Sequence, residues 1–533
     1  MTDRAPEVII GIDVGTTAVK VAAFGISGAQ RELAKGLREY RLEQPQAGWQ
    51  VHDPARVLSS IDSALAECIA ALGEAEVVAI SISTAMHGLL GLDAQYRPLT
   101  PLVTWADSRA RDEARQLRQH GLARELLHRS GTPVHPMSPL VKLVWFSRHE
   151  PELAGQVRWW AGLKDYVLHH LTGDLVTELS SASGTGLLNL KNRSWDPQSL
   201  DLAGVKADQL PLVLPTTAVR ELTAQAGRQF GLPAGLPVVV GAADGPLGNL
   251  GTGAITPGVA GLSLGTSGAV RMVVSEPGFD DHGQLFCYAL TNEVWVIGGA
   301  ISNGGNIVRW AGNTFAPDLV REGPADVAVL QLAAQAPAGS DGLLMLPYVL
   351  SERAPLWDPD IAGAYLGIQA HHTRSHFIRA AIEGVCLQLS TIVDSLDTVA
   401  PVQSIRATGR PFRSDLWREV MAATLARPMS VHAEAGGTAL GAAALGWYAL
   451  GGATTLLDAL AAVGGPGPDE GAETVAVTSS AASVYAELRA SVHALIDDYD
   501  EVAAIFASSA SQWADAASSN PEMNEDPDED RDR

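Results

Sequence analysis

VIIGIDVGTTAVKVAAF, residues 8–24, consists of an apolar, β-branched run, a Gly-Thr-Thr turn and a second apolar run. Apolar runs separated by such a turn predict two antiparallel strands joined by a tight hairpin. Residues 259–273, VAGLSLGTSGAVRMV, repeat this pattern half a chain later. Four positions of the first copy align with positions numbered 250 higher: Gly11, Gly15, Thr16 and Thr17 with Gly261, Gly265, Thr266 and Ser267.

This internal repeat predicts two domains of related fold that face each other. Chance similarity between two glycine-containing hairpins is the alternative interpretation. The copies differ at one chemically important position, where the first has Asp13 and the second has Ser263. A carboxylate kept in only one copy predicts an asymmetric site between the two domains.

The rest of the sequence alternates between helical and strand patterns, which predicts an α/β fold. Helices are predicted at 54–72, 105–129, 139–151, 373–397, 414–426 and 436–451, the third of them amphipathic. Strands are predicted at 77–84, around 294–298 and at 342–347. The glycine-rich residues 245–258 are interpreted as a hinge between the domains. The acidic residues 511–533 lack apolar content and are predicted to be a disordered tail.

Composition and charge argue against several classes of protein. The chain has 533 residues, 46% of them hydrophobic, which suits a globular protein of more than one domain. A formal net charge of −23 argues against nucleic acid or anionic lipid as a partner. The three cysteines Cys68, Cys287 and Cys386 are widely spaced, and no apolar run reaches membrane-spanning length. With no signal-peptide pattern near residue 1, the chain is predicted to be cytoplasmic.

The Asp-x-Gly-Thr-Thr sequence of the first hairpin suits phosphate chemistry. Glycine allows the backbone to approach phosphate oxygens, and backbone N–H groups and hydroxyls donate to them. The Asp13 carboxylate can hold Mg²⁺ directly or through water. A polar hairpin tip without a ligand is the alternative for one copy, but two facing copies favour a nucleotide held from both domains.

Four stretches resemble the FGGY family of carbohydrate kinases: DVGTT (13–17), GTSG (265–268), MSPLVKLVWFSRH (137–149) and GAYLGIQAHHTRSHFIRAAIE (363–383). The resemblance extends from about residue 8 to about residue 450. It implies two actin-like, ribonuclease-H-like domains with an active-site cleft between them. We expect a sugar-binding domain at 7–251 and a nucleotide-binding domain at 258–507.

Within the family, the likeness is strongest to members that phosphorylate gluconate. Three stretches carry it: STAMHG (83–88), TWADSR (104–109) and GTPVHPMSPLVKL (131–143). The resemblance implies that Met86 and His87 lie at a strand end and contact the hydroxyls of the sugar. A Met-His pair that serves only core packing and the surface is the alternative.

Other side chains in these stretches are candidates for substrate binding. Trp105 offers an apolar face to a polyol, and Asp107 can accept hydrogen bonds from hydroxyls. The carboxylate of gluconate needs a cation, and Arg109 has the bidentate geometry that a carboxylate prefers. The other candidate cations are His135, Lys142 and Lys164.

The stretch PVVVGAADGPLGNLG, residues 237–251, predicts a buried strand that ends at Asp244. The carboxyl end of a strand is where α/β proteins place ligand-binding and catalytic groups. The resemblance implies that Asp244 is the general base that takes a proton from the attacking sugar hydroxyl. An aspartate that only caps a helix is the alternative.

The nucleotide side of the site is also expected from the resemblance. The hairpin residues Gly15, Thr16, Thr17, Gly265, Thr266 and Ser267 are expected to position phosphates. Gly304 and Gly305 are expected to contact the nucleotide, and Gly409 to lie against adenosine. Arg410 stands where the family usually has a second glycine, so the nucleotide preference of this chain is left open.

Taken together, the sequence predicts an ATP- and Mg²⁺-dependent kinase acting on gluconate. A kinase of the same family that acts on xylulose or another polyol is the nearest alternative. An actin-like or Hsp70-like ATPase acting on a protein partner is the alternative from another class. Whether the protein is a monomer or a homodimer is left open.

Overall fold

A computed structural model describes residues 5–26, 32–320, 325–432, 437–467, 472–477, 479–495 and 499. The expected tail at 511–533 and the end of the expected second domain lie outside this range. Two large sheets organise the described chain. The first has six strands in the spatial order Val219–Glu221, Pro237–Ala243, Glu76–Thr84, Glu7–Val14, Ala18–Gly25 and Glu32–Glu39. The second has seven, in the order Phe286–Ala289, Trp295–Ile301, Gly268–Val274, Val259–Leu264, Ser404–Thr408, Met429–His432 and Ala472–Thr474.

Both predicted hairpins are present, one in each sheet. Glu7–Val14 pairs antiparallel with Ala18–Gly25, and Val259–Leu264 pairs antiparallel with Gly268–Val274. Glu7–Val14 also pairs in parallel with Glu76–Thr84, which pairs in parallel with Pro237–Ala243. Because parallel strands end at the same edge, this arrangement brings the segments after residues 14, 84 and 243 together.

Helices cover the sheets and form most of the remaining structure. Those between the two hairpins are Pro54–Ala70, Arg111–Gln119, Ala123–Ser130, Pro139–His149, Pro151–Gln156, Leu163–Thr172, Leu179–Ser183, Pro197–Ala203, Ala224–Phe230 and Asp244–Gly251. Those after the second hairpin are Asn306–Phe315, Pro317–Val320, Ala325–Ala333, Arg374–Val399, Asp415–Leu425, Gly437–Ala449 and Leu456–Ala462. Paired short strands are Val51–His52 with Leu102–Val103, Leu90–Leu92 with Trp159–Ala161, Val176–Glu178 with Leu212–Leu214, Leu188–Asn189 with Ser194–Trp195, and Leu344–Leu346 with Ala364–Leu366.

Three local predictions need correction. The predicted helix 105–129 is two helices that begin only at Arg111 and are separated around Gly121, where φ is +74°. The helix Pro139–His149 is not amphipathic, since each residue from Pro139 to Phe146 is buried, including Lys142. The first half of the predicted hinge 245–258 is helical, because Asp244–Gly251 forms a helix immediately after its strand.

Two helices cross closely where the chain passes between the sheets. A Cβ added to Gly251 would lie 2.1 Å from the Gly437 carbonyl oxygen, and one on Gly441 would lie 2.0 Å from that of Leu247. The helix Gly437–Ala449 also packs on the first sheet, where a Cβ on Gly11 would lie 2.0 Å from the Ala439 oxygen. A helix from the second half of the chain therefore completes the core of the first domain.

The helix Arg374–Val399 is long and apolar enough to cross a membrane by length and composition alone. Nineteen of its residues are buried within the protein, from Ser375 to Leu396. A buried core helix passes the same test, so its composition is explained by packing.

Candidate active site

A cavity of about 250 Å³ lies between the two sheets, at the edge where the parallel strands end. Six residues predicted for the site line it: Thr16, Met86, His87, Trp105, Asp244 and Ser267. A neighbouring cavity of about 260 Å³ shares Asp244 and extends toward Thr408 and Thr438. The fold therefore brings residues from both hairpins to one space.

Asp244 is the carboxylate of this cavity. It is the first residue of the helix Asp244–Gly251, directly after the strand Pro237–Ala243, and its Oδ1 accepts a 2.8 Å hydrogen bond from the Gly245 N–H. Burial raises the pKa of the Asp244 carboxyl, opposed by the positive charge of Arg271 and by backbone N–H donors. A partly desolvated carboxylate facing a cavity has the properties of a general base.

His87 faces the same cavity in a left-handed backbone conformation, with φ of +63°. Its Nδ1 lies 2.7 Å from the Gly184 carbonyl oxygen, which can only accept, so Nδ1 carries the proton. Burial lowers the pKa of His87 to about 3, which keeps the ring neutral. Nε2 is therefore an acceptor for a substrate hydroxyl.

The left-handed conformation of His87 is held by a buried lysine. Lys142 Nζ donates a 2.6 Å hydrogen bond to the His87 carbonyl oxygen. Burial lowers the pKa of Lys142 to about 7. Lys142 thus supports the backbone of a cavity residue and does not line the cavity itself.

Trp105 and Met86 form walls of the cavity. The Trp105 indole N–H donates a 2.7 Å hydrogen bond to Thr16 Oγ1, which fixes the ring against the first hairpin. Gly184 makes room for Met86, because a Cβ at that glycine would lie 2.5 Å from the Met86 methyl carbon. Thr16, expected on the nucleotide side, thus has its hydroxyl engaged on the sugar side.

The predicted carboxylate receptor, Arg109, is not in the cavity. Its guanidinium makes two 2.8 Å hydrogen bonds to the Asp107 carboxylate, and the two side chains are 3% and 0% exposed. The guanidinium also lies 3.6 Å from the centre of the Trp49 ring. The structure contradicts the substrate-binding roles predicted for Asp107 and Arg109, because the two side chains are buried and paired with each other outside the cavity.

The other candidate cations are also engaged elsewhere. Lys164 Nζ is buried and donates to the carbonyl oxygens of Ile82, Val240 and Ala242, at the ends of two parallel strands. His135 Nε2 lies 3.1 Å from the Glu352 carbonyl oxygen, and burial lowers its pKa to about 3. Both stabilise the walls around the cavity and neither offers a charge to a ligand.

Sequence reasoning missed three polar residues that line the cavity from the second domain. These are Arg271, Tyr288 and Arg353. Arg271 interrupts the apolar strand Gly268–Val274, at the position where the first hairpin has Val21, and that difference was a usable signal. Tyr288 and Arg353 reach the cavity only through long-range folding, so no local pattern points to them.

Asp13 lies close enough to Asp244 for the two carboxylates to interact electrostatically. Its carboxylate accepts a 3.3 Å hydrogen bond from Ser83 Oγ. Burial and the neighbouring Asp244 charge raise the pKa of Asp13 to about 7. Mg²⁺ is commonly held by one or two carboxylates together with waters and substrate phosphates. Within the described ranges no cluster of three or more acidic, histidine or cysteine ligands is present.

A larger cavity of about 790 Å³ lies on the second domain. Gly265, Thr266 and Gly305 line it, as predicted for nucleotide contacts, together with Arg410. Gly409 supports its wall with φ of +127°, and a Cβ there would lie 1.9 Å from the Leu264 oxygen. This volume is in the range of small-molecule and cofactor sites.

The remaining residues predicted to bind nucleotide do not line this larger cavity. Gly304 packs on the second hairpin, where a Cβ would lie 2.7 Å from the Ser267 carbonyl carbon. Gly15 closes the first hairpin through its N–H to the Ala18 oxygen, at 2.9 Å, and Thr17 is exposed at the tip.

Two domains of mixed α/β structure with polar residues in the cleft between them define a class of two-lobed phosphotransferases, and comparison with known proteins identifies the family. Residues 8–251 match the FGGY family of carbohydrate kinases, N-terminal domain, and residues 260–450 match the C-terminal domain. The chain belongs to the FGGY family and is a carbohydrate kinase.

Both gluconokinases and xylulose kinases are among the proteins that this chain resembles. A gluconokinase of Bacillus subtilis strain 168 is 37% identical over 83% of this chain and 88% of its own length. A xylulose kinase of the same strain is 30% identical over 83% of this chain and 89% of its own length. Solved structures of a xylulose kinase and a gluconate kinase from Lactobacillus acidophilus, each 31% identical, match 94% and 96% of this chain and all of their own, with TM-scores of 0.86 and 0.84.

Proposed function

We propose that this protein phosphorylates D-gluconate with ATP to give 6-phospho-D-gluconate and ADP, and that it acts in the cytoplasm. The observation that carries the proposal is the charge of the cavity, where two arginines face one carboxylate. His87 is neutral there, so the lining has an excess of positive charge that suits an acid and not a neutral sugar. The 37% identity to a gluconokinase, against 30% to a xylulose kinase of the same organism, supports it.

The cavity residues suggest how the reaction proceeds. Asp244 accepts the proton of the terminal hydroxyl of gluconate. The oxygen of that hydroxyl bonds to the γ-phosphorus of ATP, and the bond between this phosphorus and the oxygen that links it to the β-phosphate breaks. His87 Nε2 accepts from another hydroxyl and fixes the chain of the sugar acid. Phosphoryl transfer needs mainly alignment and charge neutralisation. ATP supplies the phosphoryl group, and Asp13 would hold its Mg²⁺.

A substrate panel tests the proposal. ADP release should be measured with D-gluconate, other aldonates, D-xylulose and neutral polyols, and gluconate should give the highest kcat/KM. Faster phosphorylation of xylulose than of gluconate would refute the gluconate assignment in favour of the xylulose alternative. ATP hydrolysis indifferent to every small sugar or acid would revive the ATPase alternative, against which family membership argues.

A further inference from the structure

Three polar groups from separate segments of the second domain converge in the cavity. Arg271 comes from the strand Gly268–Val274, Tyr288 from the strand Phe286–Ala289, and Arg353 from the segment after Leu344–Leu346. The Tyr288 ring lies close enough to both guanidinium groups for their charges to affect its ionisation. All three can donate hydrogen bonds, so together they form a donor-rich surface opposite the first domain.

Each of these three side chains has at least one hydrogen-bond donor that is not used within the described part of the chain. Within the described part of the chain, the Arg271 guanidinium has no hydrogen bond and no carboxylate within 4.0 Å. The buried Tyr288 hydroxyl has no partner among the same residues. Arg353 Nη2 donates to the Ile301 oxygen at 2.8 Å and Nε to Ser302 Oγ at 3.2 Å, which leaves Nη1 available. Buried polar groups without partners are costly unless a ligand or water satisfies them.

The charges of the lining residues also call for an anion. Arg271 and Arg353 repel each other, and this repulsion adds to burial in lowering the pKa of Arg353 to about 10. Asp244 supplies one compensating negative charge, but as a base it must accept a proton during the reaction. Glu352, behind Arg353, has its carboxylate bonded by Asn303 and the Ser302 N–H. Two guanidinium groups thus face the cavity against one carboxylate, while the Glu352 charge acts on Arg353 from behind.

We propose that Arg271, Arg353 and the Tyr288 hydroxyl form the receptor for the carboxylate of an open-chain sugar acid. This inference rests on the proposed function and assigns acid selectivity to the second domain. The hydroxyl-facing residues His87 and Trp105 belong to the first domain, so one substrate molecule is held from both sides. Two arginines suit a carboxylate because the Arg271 guanidinium can donate two parallel hydrogen bonds to it, and Arg353 Nη1 can add a further charged hydrogen bond.

A matched pair of ligands isolates the carboxylate. D-Glucitol has the carbon chain and hydroxyls of D-gluconate with CH₂OH in place of the carboxylate. Binding of both should be measured by calorimetry, and kcat/KM with gluconate and D-xylulose, for the parent protein, Arg271→Gln, Arg353→Gln and Tyr288→Phe. Arg193→Gln is the control, since Arg193 is exposed and its substitution changes the net charge of the protein by the same amount.

We expect each arginine substitution to weaken gluconate binding about 10- to 100-fold, the worth of a charged hydrogen bond, and to reduce the gluconate-to-glucitol affinity ratio by that factor. Tyr288→Phe should lower the ratio less, and the control should not change it. The gluconate-to-glucitol affinity ratio of Arg271→Lys should lie between those of the parent and Arg271→Gln, because lysine keeps the charge without the bidentate geometry. Melting temperature and ATP binding report whether each variant is folded.

The outcomes separate the two proposals. A parent protein that prefers gluconate, with variants that keep the same ratio, overturns the receptor and leaves the gluconate function standing. Equal losses of kcat with gluconate and xylulose would also overturn it, since the arginines would then act on the transferring phosphoryl group. A parent protein with no preference for gluconate over the neutral ligands refutes the function itself.

Discussion

At the scale of single residues, Asp244 is defined by the strand that precedes it and the cavity that it faces. Helix capping alone does not account for it, because the N-cap residue is Ala243 and the carboxylate faces the ligand space. Its Oδ1 is anchored by the Gly245 N–H, which aims Oδ2 independently of any substrate. This geometry supports the base role that we propose for Asp244.

Asp244→Asn is expected to lower kcat about 10²- to 10⁴-fold, because asparagine keeps the shape but cannot accept the proton. Dissociation constants of gluconate and ATP should change little. Single-turnover phosphoryl transfer and equilibrium binding measure the two effects. Asp13→Asn is the comparison, and its defect should be partly rescued by raised Mg²⁺. Turnover of Asp244→Asn within a few-fold of the parent would place the base elsewhere.

Arg109→Ala is expected to destabilise the fold and not to act selectively on gluconate. Removing the guanidinium leaves the buried Asp107 carboxylate unpaired, and breaking such a pair costs about 3–5 kcal/mol of unfolding free energy. Arg97→Ala is a matched control, since Arg97 pairs with Asp93 in the same domain but is 74% exposed. Chemical denaturation of both variants measures the difference. A stable Arg109→Ala protein with a gluconate KM raised tenfold would restore the sequence-based assignment.

The candidate site shows what sequence can and cannot supply at this scale. Met86, His87 and Asp244 follow strands whose ends meet, so motif and topology together point to the cavity. The charged residues are harder to predict, because a guanidinium reaches several ångströms and finds its partner through tertiary packing. Arg109 shows a second difficulty: its partner Asp107 is only two residues away in sequence and takes the same bidentate geometry that a substrate carboxylate would.

At the scale of elements, the spacing of apolar residues and the positions of turn and capping residues predict the long strands and helices well. The helix Pro54–Ala70 follows its pattern because Asp53 caps it and Pro54 occupies its first position. The glycine-rich stretch 245–258 is predicted as a hinge, yet its first half is helical. Its glycines permit close contact between two helices, and that packing benefit exceeds the low helix propensity of glycine.

This crossing of helices predicts an asymmetric response to alanine. Gly441→Ala is expected to lower the unfolding free energy by about 1–3 kcal/mol, because its Cβ would lie 2.0 Å from the Leu247 oxygen. In the partner helix, a Cβ added at Gly248 meets nothing within 4 Å, so Gly248→Ala should raise the unfolding free energy by up to about 1 kcal/mol. Melting temperatures compare the two. Equal tolerance of both substitutions would contradict a close crossing.

At the scale of the whole molecule, the two domains meet on the substrate side as well as at the crossing helices. One face of the helix Arg111–Gln119 contacts the segment that carries Arg353 and Trp357 to the cavity. Arg115 makes 2.9 and 2.6 Å hydrogen bonds to Asp360, and Arg111 lies 3.1 Å from the same carboxylate. This bridge holds part of the proposed carboxylate receptor against the first domain.

Asp360→Asn should therefore weaken substrate binding and leave the rate of phosphoryl transfer unchanged. Each exposed ion pair contributes about 0.2–1 kcal/mol, so loss of both should raise the gluconate KM about two- to thirtyfold. The KM for ATP should change less, because the larger cavity lies away from the bridge. Added salt should raise the parent KM toward that of the variant, since partly exposed pairs are screened.

Asp318→Asn is the matched control for this bridge. Arg374 Nη1 donates to both carboxylate oxygens of Asp318, at 2.8 and 2.9 Å, but both residues belong to the second domain. Its loss should leave the gluconate KM and its salt dependence as in the parent. The exchange of charges in Asp360→Arg with Arg115→Asp should recover part of the lost affinity. An Asp360→Asn variant with parental KM at low salt would show that the bridge does not contribute to closure around the substrate.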